Sequence, residues 1–331
     1  MNADTHKTLD NIRAYIDLND ARIFKDAGGV FKYPFIDPGS VYDGNLWDWD
    51  SYWTIYALTA HRPGDARVAK HAMGGVLNFL SFQADDGYIP MMVNNNPEHG
   101  MYLLKRHASG EPLNMHKPFL CQQVELVSEY VNDYEWITLH YDKLEKYFAC
   151  YDTHYLNERT GLYVWADDVM IGMDNDPAVF GRPKWSTASV FLNAFMLMEL
   201  RAMSHLADKC GRGERVQVYE EMARKLSAAI QAECWDSRDR FYYSVDIDVK
   251  TRGYDWFHKG LGVFWNSLPI KIRAWTGFIP MLAGVATEKQ AADLVRLHAS
   301  DPATFASSYG IRTLARDEKM YNTDATINPS N

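Results

Sequence analysis

The chain has 331 residues, 47% of them apolar and 23% charged, with a formal net charge of −9. One hydrophobic core stops growing near ~250–300 residues, so this length calls for two domains or for a repeat architecture whose units pack on their neighbours. No block of Lys and Arg offsets the acidic balance, which argues against nucleic acid or an anionic membrane as partner.

Helical periodicity appears first at 8–18, after a polar start, Met1-Asn2-Ala3-Asp4-Thr5-His6-Lys7, that lacks an apolar signal core. No run reaches the ~18 apolar residues of a membrane span, so a cytoplasmic protein is expected. Helix pairs follow at 53–61 with 66–82, 118–131 with 136–156, 188–209 with 214–234, and 278–285 with 288–298. Pro118 opens a helix, and Gly211 and Gly213 separate two others, as helix start and stop signals require. After each of the first three pairs comes a turn and a short aromatic strand: Gly87-Tyr88-Ile89, Gly161-Leu162-Tyr163 and Arg240-Phe241-Tyr242. The tyrosines recur at 163 − 88 = 75 and 242 − 163 = 79 residues. A fixed period of this size marks a repeat fold. The expected class is all-α: a toroid of helix pairs with loops forming a cleft on one face. Four pairs fall short of a closed six-pair ring, so the expectation is a single domain over 1–331 with roughly the last two pairs missing.

The composition includes 10 Trp and 20 Tyr. Such rings fill cores, and they also stack on the apolar faces of sugars while offering a polar tip. Cys121, Cys150, Cys210 and Cys234 are widely spaced and read as reduced, buried thiols. No HExxH, Cys/His zinc spacing, GxGxxG, GxSxG or phosphate loop is present, so no metal or other cofactor is expected.

Cleavage of a glycoside takes two carboxyl groups flanking the bond, which directs attention to acids in loops. In Trp47-Asp48-Trp49-Asp50-Ser51 the rings alternate with carboxylates. That suits a sugar subsite in which Trp47 and Trp49 stack and Asp50 accepts from hydroxyls; the plain alternative is that Asp50 or Ser51 caps a helix starting near Tyr52. In Asp167-Asp168-Val169-Met170-Ile171-Gly172-Met173-Asp174-Asn175-Asp176-Pro177 an apolar run sits beside several acids. A desolvated carboxyl there would stay protonated for general-acid work, while Asn175 or Asp176 reads as an Asx turn closed by Pro177.

Trp49-Asp50-Ser51, Gly87-Tyr88-Ile89-Pro90, Lys117-Pro118, Gly172-Met173-Asp174-Asn175, Trp275-Thr276-Gly277-Phe278-Ile279-Pro280 and Ser308-Tyr309-Gly310-Ile311-Arg312 occur in that order. The ordered set resembles glycoside hydrolase family 63, in particular its mannosylglycerate and glucosylglycerate hydrolase branch, and is related to trehalase-type enzymes. The resemblance implies an (α/α)6 barrel and an inverting α-glycosidase acting on a small α-glucoside or α-mannoside. It places the general acid on Asp174, the sugar-binding pair on Trp49 and Asp50, and cleft-lining residues on Tyr88, Lys117, Gln122, Trp275 and Tyr309. The family's general base, a Glu, falls beyond Asn331. Met170-Ile171 stands where those relatives carry Glu-Ser, and Asp176 where Ser is common; the difference bears on the substrate, not on the reaction type. Arg182 and Lys184 are candidates for an anionic aglycone, with plain surface placement as the alternative. The remaining readings are a non-catalytic carbohydrate-binding toroid and a lyase or epimerase on the same scaffold.

Overall fold

A computed structural model describes residues 3–95, 115–167, 176–249 and 265–321. Asp174 and the rest of 168–175 lie outside these residues, as does the C-terminal Asn-Pro-Ser-Asn stretch. Contacts divide the chain into two compact units: Met1–Gly110, Met115–Phe148 and His205–Arg212 form unit one, and Ala149–Ser204 with Gly213–Asn331 and the short Glu111–Asn114 form unit two.

In unit one, α1 (Ala3–Asn19), α2 (Asp48–His61), α3 (Ala66–Ser81), α4 (Leu120–Val131) and α5 (Glu135–Thr138) follow in order. The clearest sequence-to-helix link is α3. The Asp65 carboxylate accepts from the backbone N–H of Arg67 at 2.7 Å and Val68 at 3.4 Å, satisfying donors that a helix start leaves open. Val68, Ala72, Val76, Phe79 and Leu80 then bury one stripe at the 3–4 residue spacing of a core-facing helix. Val68 and Ala72 pack in a core with Phe24, Ile36, Ile55, Leu58 and Val127. The stripe also carries Gly74, where an added Cβ would stand 1.9 Å from the Pro34 carbonyl, so only glycine admits this approach. One turn on, Asn78 holds the same passing segment: it accepts from Lys32 N and Tyr33 N and donates to Tyr33 O at 2.8 Å.

The helix predicted over 136–156 is broken. It divides into α5 and α6 (Tyr141–His154), and the Thr138 hydroxyl donates back to Tyr134 O at 3.0 Å. Such back-bonding competes with helix propagation. α7 (Val190–Lys209) and α8 (Gly213–Ala229) form the third pair, with α8 running on into a π-helical turn, Ile230–Cys234. The fourth pair is shorter than predicted. A 3₁₀ turn leads into α9 (Ile279–Leu282), and α10 (Glu288–Leu294) opens on a reciprocal capping box between Thr287 and Gln290.

Unit two repeats one hairpin. Leu156 pairs with Tyr163 and Asn157 with Leu162; Trp235 pairs with Tyr242 and Asp236 with Phe241. Both strands recur at the same interval, 235 − 156 = 79 and 242 − 163 = 79. The left-handed residue before the second strand recurs too, as Gly161 at φ 72° and Arg240 at φ 55°. A third hairpin, Ala306–Ser307 with Gly310–Ile311, follows α10. The strand expected at Tyr88 is absent. Tyr88 accepts from Ala84 N in a turn, and the chain beyond it runs to Met92–Val93, which pairs with Leu46–Trp47 instead. All four cysteines are free and buried. Among the described residues, no helix is long and apolar enough to cross a membrane.

Candidate active site

Three segments of unit one are laced together where α2 begins. Leu46 pairs with Val93 and Trp47 with Met92. Asp48 N donates to Met91 O at 3.0 Å, and His116 N donates to Ile89 O at 2.8 Å. Pro90 bridges Met115. These bonds set Trp47, Asp48, Tyr88 and Lys117 on neighbouring strands of backbone, although 69 residues separate Asp48 from Lys117.

A buried ion pair closes the lacing. Asp48 and Lys117 are 0% and 1% exposed, and the Lys117 ammonium lies 2.9 Å from Asp48 Oδ1. The same carboxylate accepts from Trp49 N and Lys117 N, each at 2.7 Å. A buried charge persists only when paired and hydrogen-bonded, and Asp48 meets both conditions. The Tyr147 hydroxyl donates to Lys117 O at 2.9 Å. His116 is pressed edge-on against Phe79; burial pushes its pKa down, which leaves the ring neutral.

Asp50 stands differently. Two residues apart on a helix are not on one face, so Asp48 turns inward while Asp50 remains half-buried. Its pKa is raised, by burial first and by the Asp48 charge second, against the pull of Lys117 and a hydrogen bond from the Trp49 side chain. The Lys117 ammonium also lies 5.6 Å from the Trp49 ring centroid, within cation–π reach. The expectation that Asp50 or Ser51 caps the helix is corrected. α2 starts at Asp48, with Trp47 in the capping position, because the ladder to Met92–Val93 ends at Trp47. Lys117 is paired with Asp48 and lies against Trp49, so it joins the 116–118 segment to the Trp49-Asp50 turn.

Trp47 Nε1 and Gln123 Oε1, near the lacing, are buried and have no partner among the described residues. Gln122, the glutamine singled out from sequence, donates to Pro118 O at 2.6 Å on its own helix turn. Gln123 and Asp48 were not singled out. The signal for Asp48 is the two-residue offset of the acids, but nothing local tells which of them turns inward.

The remaining predicted residues belong to unit two. Trp275 opens the 3₁₀ turn before α9, donates its N–H to Thr313 O at 2.8 Å, and meets Phe191 edge-on at 6.1 Å. Arg182 is engaged by its own unit, with Nη2 2.5 Å from Asp246 Oδ2 and Nε donating to Thr187 Oγ1 at 2.8 Å. Tyr309 is 101% exposed, at the tip of a hairpin held by Ser307 Oγ. Asp176 opens a turn, its carbonyl accepting from Val179 N and Phe180 N. Its Oδ1 accepts from Ala178 N at 2.9 Å, and its Oδ2 is buried with no partner among the described residues.

A family model, the mannosylglycerate hydrolase MGH1-like glycoside hydrolase domain, matches residues 43–328. The chain belongs to this family. It is a glycoside hydrolase, and the resemblance to family 63 stands. Among curated proteins, none matches its sequence significantly. Several solved structures share the enzyme's fold. A family 63 mannosylglycerate hydrolase from Thermus thermophilus, in complex with glucose, is 17% identical; the match covers 94% of this chain and 80% of that one, with a TM-score of 0.67. Neutral trehalase from Saccharomyces cerevisiae is 15% identical over 86% of this chain and 57% of its own, with a TM-score of 0.60. A family 78 rhamnosidase from Bacillus sp. GL1 is 15% identical over 79% and 23%, with a TM-score of 0.54.

In this glycoside hydrolase the Asp176 turn makes a testable contribution to stability. Burial pushes its pKa up to about 6, above the ~3.9 of an unfolded chain. A carboxyl raised in this way stabilises the fold below the unfolded value and loses that contribution as pH rises through about 6. The gap corresponds to ~3 kcal/mol. Asp176→Asn keeps the acceptor for Ala178 and removes the charge. Its melting temperature, followed by circular dichroism, is expected to match that of the parent enzyme near pH 4 and to exceed it above pH 7; identical profiles would contradict the assignment.

Proposed function

We propose that the enzyme is an inverting α-glycosidase that hydrolyses a small α-glucoside or α-mannoside. The observation that carries this reading is the laced Trp47–Asp50 turn, with a half-buried Asp50 carboxylate between two indoles and the Lys117 ammonium, in a chain of this hydrolase family. Trp49 offers a face for a sugar ring, and Asp50 accepts from two of its hydroxyls. Asp48 and Lys117 fix both residues from below. The likeness to a mannosylglycerate hydrolase bound to glucose supports a hexose subsite.

Asp174, carried over from the family pattern, is the proposed general acid that protonates the leaving oxygen. A second carboxylate on the opposite face, ~6.5–9.5 Å from the first in an inverting site, activates water. The helix-pair and hairpin repeats support one (α/α)6 barrel catalytic domain, and trehalase-type neighbours support the same architecture. Met170-Ile171 in place of Glu-Ser sets the aglycone apart from glycerate. The four buried thiols suit a reducing, cytoplasmic compartment.

The test is a panel of α- and β-linked glucosides and mannosides. Turnover confined to one or more α-linked substrates is the expected result. A preference for β-linked substrates would overturn the proposal.

A further inference from the structure

Unit one holds another cluster of titratable groups that the glycosidase reading does not use. Glu125 and Glu129 lie one turn apart on α4, and four-residue spacing puts them on one helix face. His205, near the end of α7, meets them: one ligand atom from each of the three residues lies within 4.8 Å of the other two. His205 Nδ1 is 2.5 Å from Glu125 Oε1. Both side chains are partly open to water, and Glu129 is exposed. The Tyr134 ring abuts the imidazole at 6.0 Å, and its hydroxyl pKa is raised by burial and then by the charges of Glu129 and Glu125. Among the described residues, no Lys or Arg pairs with either glutamate. Like charges at this spacing repel, so two carboxylates face one imidazole with no other cation supplied.

We propose that Glu125, Glu129 and His205 bind a divalent transition-metal cation of the zinc class, which ties α4 to the His205–Arg212 segment of unit one. One imidazole nitrogen with two carboxylate oxygens is a donor set for Zn²⁺, Co²⁺ or Ni²⁺; Mg²⁺ and Ca²⁺ favour all-oxygen shells. Ligands of a tetrahedral ion at ~2.0–2.2 Å stand ~3.3 Å apart. His205 and Glu125 therefore open by under ~1 Å, a small rotation for side chains with water on one side. A fourth position remains for water. The sequence hid this site, because His205 lies 205 − 129 = 76 residues beyond Glu129 and no short motif spans that gap.

The experiment is a calorimetric titration of chelator-treated enzyme with ZnCl₂, beside thermal unfolding with and without Zn²⁺. Binding of one ion is expected, with a melting temperature that rises and saturates, while Mg²⁺ has no such effect. Glu129→Gln and His205→Ala are each expected to weaken Zn²⁺ binding at least about tenfold and to leave glycoside turnover unchanged. Glu129 is exposed, so its variant folds whatever the fate of His205→Ala. Zn²⁺ binding as tight in Glu129→Gln as in the parent enzyme would place the ion elsewhere and overturn the proposal. Absence of binding to the parent enzyme at millimolar Zn²⁺ would overturn it as well.

Discussion

Asp174→Asn is expected to lower kcat on natural α-glycosides by about 10²–10⁴-fold, the range that a positioned general acid supplies. KM should change little, because the amide keeps the size of the carboxyl. A glycosyl fluoride separates the acid role from mere damage, since fluoride departs without a proton. On that substrate the variant should retain far more of its parent activity than on an ordinary glycoside. Equal losses on both substrates would point to a disturbed site, and wild-type turnover of the ordinary glycoside would remove Asp174 from the mechanism. Two residues on, the buried Asp176 carboxyl accepts from Ala178 N and anchors the chain where the next turn begins.

Breaking the Asp48–Lys117 pair should give the largest loss of stability. Removing one partner of a buried pair leaves an uncompensated charge and costs ~3–5 kcal/mol. Asp48→Ala also strands the N–H groups of Trp49 and Lys117, which now donate to its carboxylate. Lys117→Met leaves those two bonds in place but strips the carboxylate of its ammonium. Both should lower the urea midpoint strongly. The double variant should lose less than the sum of the two, since each single change already forfeits the pair. Simple additivity, or a loss below ~1 kcal/mol for either single variant, would show that the pair does not hold the turn.

What the sequence made legible follows from the range of the interactions involved. The helix pairs rest on local periodicity, and α3 shows why: its cap, its apolar stripe and its stop lie within one short window. The hairpins at Leu156–Tyr163 and Trp235–Tyr242 were readable for the same reason, since both partners of each ladder are neighbours in the chain. Tyr88 shows the opposite. Its turn looked like the others, but the strand after it pairs with Leu46–Trp47, some 45 residues earlier, and no local pattern announces that choice. Asp48 and Asp50 are alike in sequence, and long-range contact with Lys117 buries one of them fully while the other remains half-buried. The partner that Arg182 takes, Asp246, lies 64 residues on, beyond any local pattern. Glu125, Glu129 and His205 became a group only through the packing of one helix end against another.

The proposed hydrolysis is a single displacement at the anomeric carbon, which proton NMR of the first sugar released reads out. An α-glycoside hydrolysed by this enzyme should first yield the β-anomer, with the α-anomer growing in later by mutarotation. Initial release of the α-anomer would require a double displacement and would contradict the inverting mechanism.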